Sequence, residues 1–141
     1  MIQEVIQRLK DQVPPPALRA VEGAAEFAAL DDRGAPQAPQ AWVIPLTEAA
    51  GENRMVNIVA QTVRAEIAVV LAFRHVGDAR GEAATLALEA LRTDVRRALQ
   101  GWAPEGHTPL ELVGSALVSY DDGIVWWQTN FRSEFEARSV P

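Results

Sequence analysis

Chemistry needs reactive side chains at defined spacings, and in this chain of 141 residues the candidates are few. His75 and His107 are its two histidines. Neither falls in an H-x-x-H or H-E-x-x-H spacing, so the pattern that sets two imidazoles on one helical face to hold zinc is absent. His75 follows Arg74 at the end of a strand-like run, and His107 lies in a loop bounded by glycine and proline. Both read as surface or turn histidines without a partner placed to tune them. Gly77-Asp78-Ala79-Arg80-Gly81 is the nearest approach to a phosphate-binding loop. It lacks the lysine of a nucleotide-binding P-loop and the third glycine of a dinucleotide fingerprint, and it reads as a strand-to-helix turn. Ser115, Ser119, Ser133 and Ser139 have no G-x-S-x-G elbow around them. Asp121-Asp122 could bind a cation or act as an acid–base pair, but the following Gly123 makes a tight hairpin turn the better reading. Asp31-Asp32 reads as solvated loop. The absence of cysteine removes disulfides, thiolate metal sites and cysteine nucleophiles together. The sequence therefore names no catalytic residue, no metal ligand and no cofactor.

Charge narrows the remaining classes. The net charge is −6 and the isoelectric point about 4.9, whereas a free-standing nucleic-acid-binding domain carries a basic footprint that neutralises phosphates. Arg54, Arg64, Arg74, Arg80, Arg92, Arg96 and Arg97 could serve such a role with the tryptophans as stacking platforms. They are spread over opposite faces and interleaved with acids, so specific nucleic-acid binding is not expected. No apolar run approaches the roughly 20 residues that span a bilayer. The opening MIQEVIQRLKDQ carries charges within its apolar pattern, unlike a signal peptide. The expectation is a protein made in the cytoplasm.

The elements that would position any site follow from periodicity. Ile2, Val5, Ile6 and Leu9 recur at helical spacing, and Pro14, Pro15 and Pro16 end that helix because proline lacks the amide donor and restricts its predecessor. Leu18 to Glu22 alternates like a strand, Gly23 breaks it, and Ala24 to Leu30 suits one or two helical turns. Residues 31–40 read as a loop. Trp42 to Leu46 reads as a strand with Pro45 near a sheet edge, and residues 47–57 as a polar connection. The clearest strand follows: Val63, Ala65, Ile67, Val69, Leu71 and Phe73 alternate with Arg64, Glu66, Ala68, Val70, Ala72 and Arg74. His75 to Asp78 is a break, with Asp78 available as a helix cap. Gly81 to Gln100 forms the main helix, with Leu88, Leu91, Val95 and Leu99 on one stripe, Leu86, Ala87 and Ala98 widening it, and Arg92, Arg96 and Arg97 mostly away from it; Gly101 stops it. After a loop over 101–109, Leu110 to Tyr120 and Ile124 to Phe135 form a hairpin. The expected architecture is one α+β domain over residues 1–141, a mixed, mainly antiparallel sheet with two main helices on one face and a C-terminal β-hairpin.

Two features point to assembly rather than catalysis. Trp126 and Trp127 are adjacent in a strand, so their side chains leave on opposite faces. One can face the core. The other must be covered by a helix, left exposed or buried in a partner, and tryptophan and arginine are enriched at interface hot spots. Trp126 and Arg132 share a strand face and are candidate interface residues.

The segment ELVGSALVSYDDGIVWWQTNFRSEFEAR resembles the end of phage tail terminator proteins, also called tail completion proteins. These run from a strand through a short acidic turn with glycine, here Tyr120 to Gly123, into an aromatic strand, here Val125 to Trp127, and an acidic, aromatic and basic tail, here Phe131 to Arg138. The strand Thr62 to Phe73, the helix Gly81 to Leu99 and the loop holding Trp102, Gly106 and Pro109 come in the family's order. The resemblance implies a small α/β fold that forms a hexameric ring, a homo-oligomer that caps the tail tube protein, stops its polymerisation and joins the head-tail connector protein. DNA would pass through the lumen without specific binding, and the protein would reside in the virion tail or neck. It also implies that the 47–57 loop projects from the sheet, which adds Arg54, Met55 and Asn57 to the interface candidates. Another neck or tail component, such as a head-tail connector or tube protein, is the alternative reading, followed by a small ligand-binding domain or enzyme.

Overall fold

The computed structural model describes residues 1–30, 36–74, 82–121 and 123–140. Helix α1 spans Ile2–Gln12, followed by strand β1 at Ala20–Glu22 and the short helix α2 at Ala24–Ala28. Strands β2 and β3 cover Gln40–Ala50 and Ala60–Arg74. Helix α3 covers Glu82–Leu99, and strands β4 and β5 cover Glu111–Asp121 and Ile124–Arg138. The strands form a five-stranded sheet in the order β1-β2-β3-β5-β4. The β1–β2 pair is parallel and the others antiparallel, so the sheet is mixed and mainly antiparallel.

The alternation read along β3 decides the layers, since successive side chains leave opposite faces. Ile67, Val69 and Leu71 face α1 and α3 in the main core, together with Val5, Leu9, Val95, Leu99 and Phe131. Val70 and Ala72 face the other way, into a smaller cluster with Trp42, Ile124 and Trp126. The two main helices thus share one face, as the sequence predicts. Arg8 ties them together by donating from Nε to the Ala98 carbonyl at 2.9 Å and lying over the Trp102 ring. The loop after α3 is fixed to β5: Thr108 N donates to the Glu134 carbonyl, and the Ser133 hydroxyl to the Thr108 carbonyl. Gly101 and Gly123 adopt φ of +83° and +77°, the left-handed region that glycine enters without steric cost.

Three local expectations are corrected. Residues 47–50 are not connection but the outer half of β2, paired through Ala50↔Val63. Their side chains are exposed, so no apolar alternation marks them. Pro45 falls where β1, which pairs only with residues 40–42, no longer reaches, and the register against β3 shifts between Pro45 and Thr47. A residue without an N–H is tolerated at such a bulge beside an open edge. Leu86 does not widen the buried stripe of α3: it is exposed, and burial begins in earnest at Leu91. Arg92, read as lying away from the stripe, sits over the Trp127 ring at 3.6 Å from its centroid. The expected break and cap at His75 to Asp78, the Gly77 to Gly81 turn, Asp31-Asp32 and Asp122 lie outside the described residues.

Candidate assembly surfaces

Trp126 leaves β5 on the sheet face away from α1 and α3. It stacks on Trp42 with ring centroids 5.5 Å apart, and Phe27 of α2 meets both indoles edge-on. Of the outcomes open to the second tryptophan, coverage by a helix is the one the fold takes, and the side chain remains half-buried. Aromatic pairs in offset or edge-on arrangements add about 0.5–1.5 kcal/mol beyond area burial, so this cluster clamps α2 to the sheet. Beside it lies an apolar trough of about 370 Å³ floored by Ala68 and Val70 and walled by Ile44, Leu46, Val118 and Trp126. The small alanine floor between larger walls makes the depression.

Arg132 lies on the same face of β5, six positions further on, roughly 20 Å away at 3.3 Å per residue. It is exposed and donates from Nε to Glu111 on β4 at 3.1 Å. Trp126 and Arg132 therefore occupy one sheet face but separate neighbourhoods.

The loop between β2 and β3 holds the other candidates. Arg54 donates from Nη2 to Glu136 at 2.6 Å and from Nη1 to the Thr62 hydroxyl, which itself donates to Glu136 at 2.7 Å. The Thr62 hydrogen bond is the largest effect on the Glu136 carboxyl; desolvation opposes it, and the hydrogen bond and charge of Arg54 with the charge of Arg138 add to it, so that the carboxyl is held below its ordinary value of 4.5. Arg54 is thus an anchor of the loop as well as an exposed cation. Asn53, which the sequence reading passed over, organises the turn: its Oδ1 accepts from Met55 N and Ala60 N, and its Nδ2 donates to the Met55 carbonyl. Side-chain bonding by asparagine to backbone two residues on is a turn signature that could have flagged it. Beyond this anchor the loop presents Met55, Val56, Val59 and Asn57, with Val56 98% exposed.

The surface that sequence reasoning missed is β4. Every residue from Glu111 to Tyr120 is exposed, although the strand is mostly apolar. Leu117, Val118 and Tyr120 are 56%, 58% and 59% exposed, and Leu112 and Val113 are also open. β4 is the edge of the sheet, so its outer row of backbone donors and acceptors faces no strand among the described residues. The register against β5 shifts between Leu112 and Gly114 and between Leu117 and Ser119, which leaves Val113 and Val118 as bulges. The sequence signal was present: ELVGSALVSYD has apolar residues on both faces and charge only at its ends.

No group of three or more metal-ligating side chains occurs among the described residues. His107 donates from Nδ1 to the Glu105 carbonyl and lies tilted against the Phe135 ring, as a turn histidine does. Among the described residues no helix is long and apolar enough to cross a membrane.

The family model for the phage tail terminator protein matches residues 1–140. Among solved structures, a chain from the virion of the native gene transfer agent particle is similar in fold, with a TM-score of 0.54 and 20% identity over 94% of this chain and 92% of that chain. No curated relative matches the sequence.

Proposed function

The chain belongs to the phage tail terminator family, and from that premise we propose that it closes with copies of itself into a hexameric ring that caps the tail tube. At the coarser level, family membership makes it a structural tail component of a virion. The ring would end polymerisation of the tube protein by geometry. One face copies the docking surface of a tube subunit, the other does not, and growth stops there while the head connector gains a surface to join. An interface between two different patches can close into a ring when the rotation between copies allows it.

The observation that carries this reading is β4, a mostly apolar strand exposed along its length at the sheet edge. Contiguous exposed apolar surface marks an interaction site, and this one is built on a rigid sheet. The loop carrying Arg54, Met55 and Asn57 supplies a second contact at the far end of the sheet, with Arg54 fixing its base and Met55 and Val56 at its tip. Trp126 and Arg132 contribute as a trough wall and a β4-braced cation. Six copies at −6 each would carry −36, a field that repels DNA from the lumen wall and lets it pass unbound. The protein would be made in the host cytoplasm and incorporated from there.

The test is to add the purified protein to the tube protein encoded with it while tubes are growing. Shorter tubes bearing an extra terminal ring in electron micrographs are expected. Tubes of unchanged length with bare ends would overturn the capping role.

A further inference from the structure

The sheet has a second open edge. β1 pairs with β2 only through Gln40, Ala41 and Trp42. Beyond Trp42 the outer side of β2 has no partner strand among the described residues; Val43 is still buried, and the strand is exposed from Pro45 to Ala50. Natural edges are protected against pairing by lysines, inward charges, proline, bulges or covering elements. Lys10 is the single lysine of the chain, so neither β4 nor β2 carries one. Charge on β4 is confined to Glu111 and Asp121, its two ends. Pro45, which has no N–H, and the bulges at Val113 and Val118 interrupt these edges locally, and elsewhere the two edges, on opposite sides of one sheet, each offer the row of backbone groups that the other lacks.

We propose that the β4 edge of one copy pairs with the Leu46–Ala50 edge of β2 in the next, so that the sheets of neighbouring copies run on into one another. This inference rests on the ring reading and specifies its lateral contact. The pairing is heterologous by construction, as ring closure requires. It also completes the apolar surface, because Val118 and Leu46, opposite walls of the trough, both lie on edge strands that gain a neighbour. The bulges at Val113 and Val118 bend β4 and increase its twist, which opposes a flat, unlimited stack and favours a curved, closed one.

Cross-strand partners share a face, so the register sorts the positions. Ala116 and Ser119 pair with Gln128 and Trp126, and Thr47 and Ala49 pair with Glu66 and Arg64; all four lie on the face away from α1 and α3. Ser115 pairs with Thr129 and lies on the helix-covered face. The native chain has no cysteine, so introduced thiols report without background. Chains carrying Ala116→Cys or Ser119→Cys are mixed with chains carrying Thr47→Cys or Ala49→Cys and oxidised, and the mass of each mixture is read alongside. The expected result is a mixed disulfide from at least one of these pairings, because bridged Cα atoms must come within about 7 Å, and little from Ser115→Cys with the same partners. Leu117→Lys, at an exposed position that leaves the core untouched, should reduce the mass to one chain at a concentration where the parent is assembled. A ring by mass with no mixed disulfide, and with Leu117→Lys still assembled, overturns the edge pairing while leaving the ring. Disulfides of Ser119→Cys with itself at dimer mass overturn it in favour of a two-fold β4 contact. A monomer at every concentration with no disulfide in any mixture overturns both.

Discussion

β5 and β4 lie side by side in one sheet and are both rich in apolar residues, yet they use them in opposite ways. β5 is flanked by β3 and β4, and Phe131, Thr129 and Ser133 are buried against the helix-covered core. Its other face is partly closed by the Phe27, Trp42 and Trp126 cluster. Among the described residues β4 has β5 on one side alone and neither of its faces is covered: Leu112, Val113, Leu117 and Val118 are exposed. Apolar side chains left exposed give up the roughly 25 cal/mol per Å² that burial would return. The fold is complete without them, so their burial is left to contact with another molecule. The contrast separates the part of the molecule that folds from the part that assembles.

Substitutions can break that contrast, and the largest effect belongs to β5. Phe131→Ala opens a fully buried site and should lower folding stability by about 3–5 kcal/mol, seen as an earlier urea midpoint at unchanged slope. Trp126 stands between the two regions, half-buried by its own chain while walling the trough. Trp126→Ala should cost roughly 2 kcal/mol of folding stability, less than a fully buried aromatic, and weaken self-association by at least about 2 kcal/mol as a hot spot would. Unchanged association in that variant would confine the residue to the clamp on α2. Leu117→Ala should leave the urea midpoint of the dilute protein within about 0.5 kcal/mol of the parent while raising the concentration needed to assemble. Dilution matters here because assembly stabilises the folded chain by mass action. The smallest effect is at the loop. Because the Glu136 carboxyl is held below 4.5, its contribution is present above that value and is lost as pH falls through the depressed one. Protection of the amides in residues 53–60, taken relative to the intrinsic exchange rate at each pH, should fall as the medium is acidified below that point, and Glu136→Gln should remove this dependence.

Much of this was legible in the sequence for a physical reason. α1, β3 and the β4–β5 hairpin are specified locally, by helical spacing stopped at Pro14, by a period of two across Val63 to Phe73, and by Asp-Gly at a turn whose Gly123 has positive φ. What was illegible depends on distant partners. Thr47 to Ala50 is a strand because β3 pairs with it, not because of its own pattern. Trp126 is covered by Phe27 from α2, about a hundred residues away in the chain. Leu86 and Leu117 read as apolar helix and strand positions, and only the finished fold shows that both are exposed. The candidate loop was found, but its organiser Asn53 was not, because Arg54 and Met55 carry charge and bulk whereas Asn53 acts through three hydrogen bonds visible only in the folded turn. Exposure is a property of the whole fold, and the assembly surface is defined by exposure.

The most direct test is the solution mass by light scattering across protein and salt concentrations. A ring has a mass of six times the 15.3 kDa of one chain, and the expected result is that mass or a single chain that moves reversibly toward it as concentration rises. Because the contact is apolar and between backbone edges, added salt should weaken it little. A firm dimer that neither grows nor dissociates would contradict the ring.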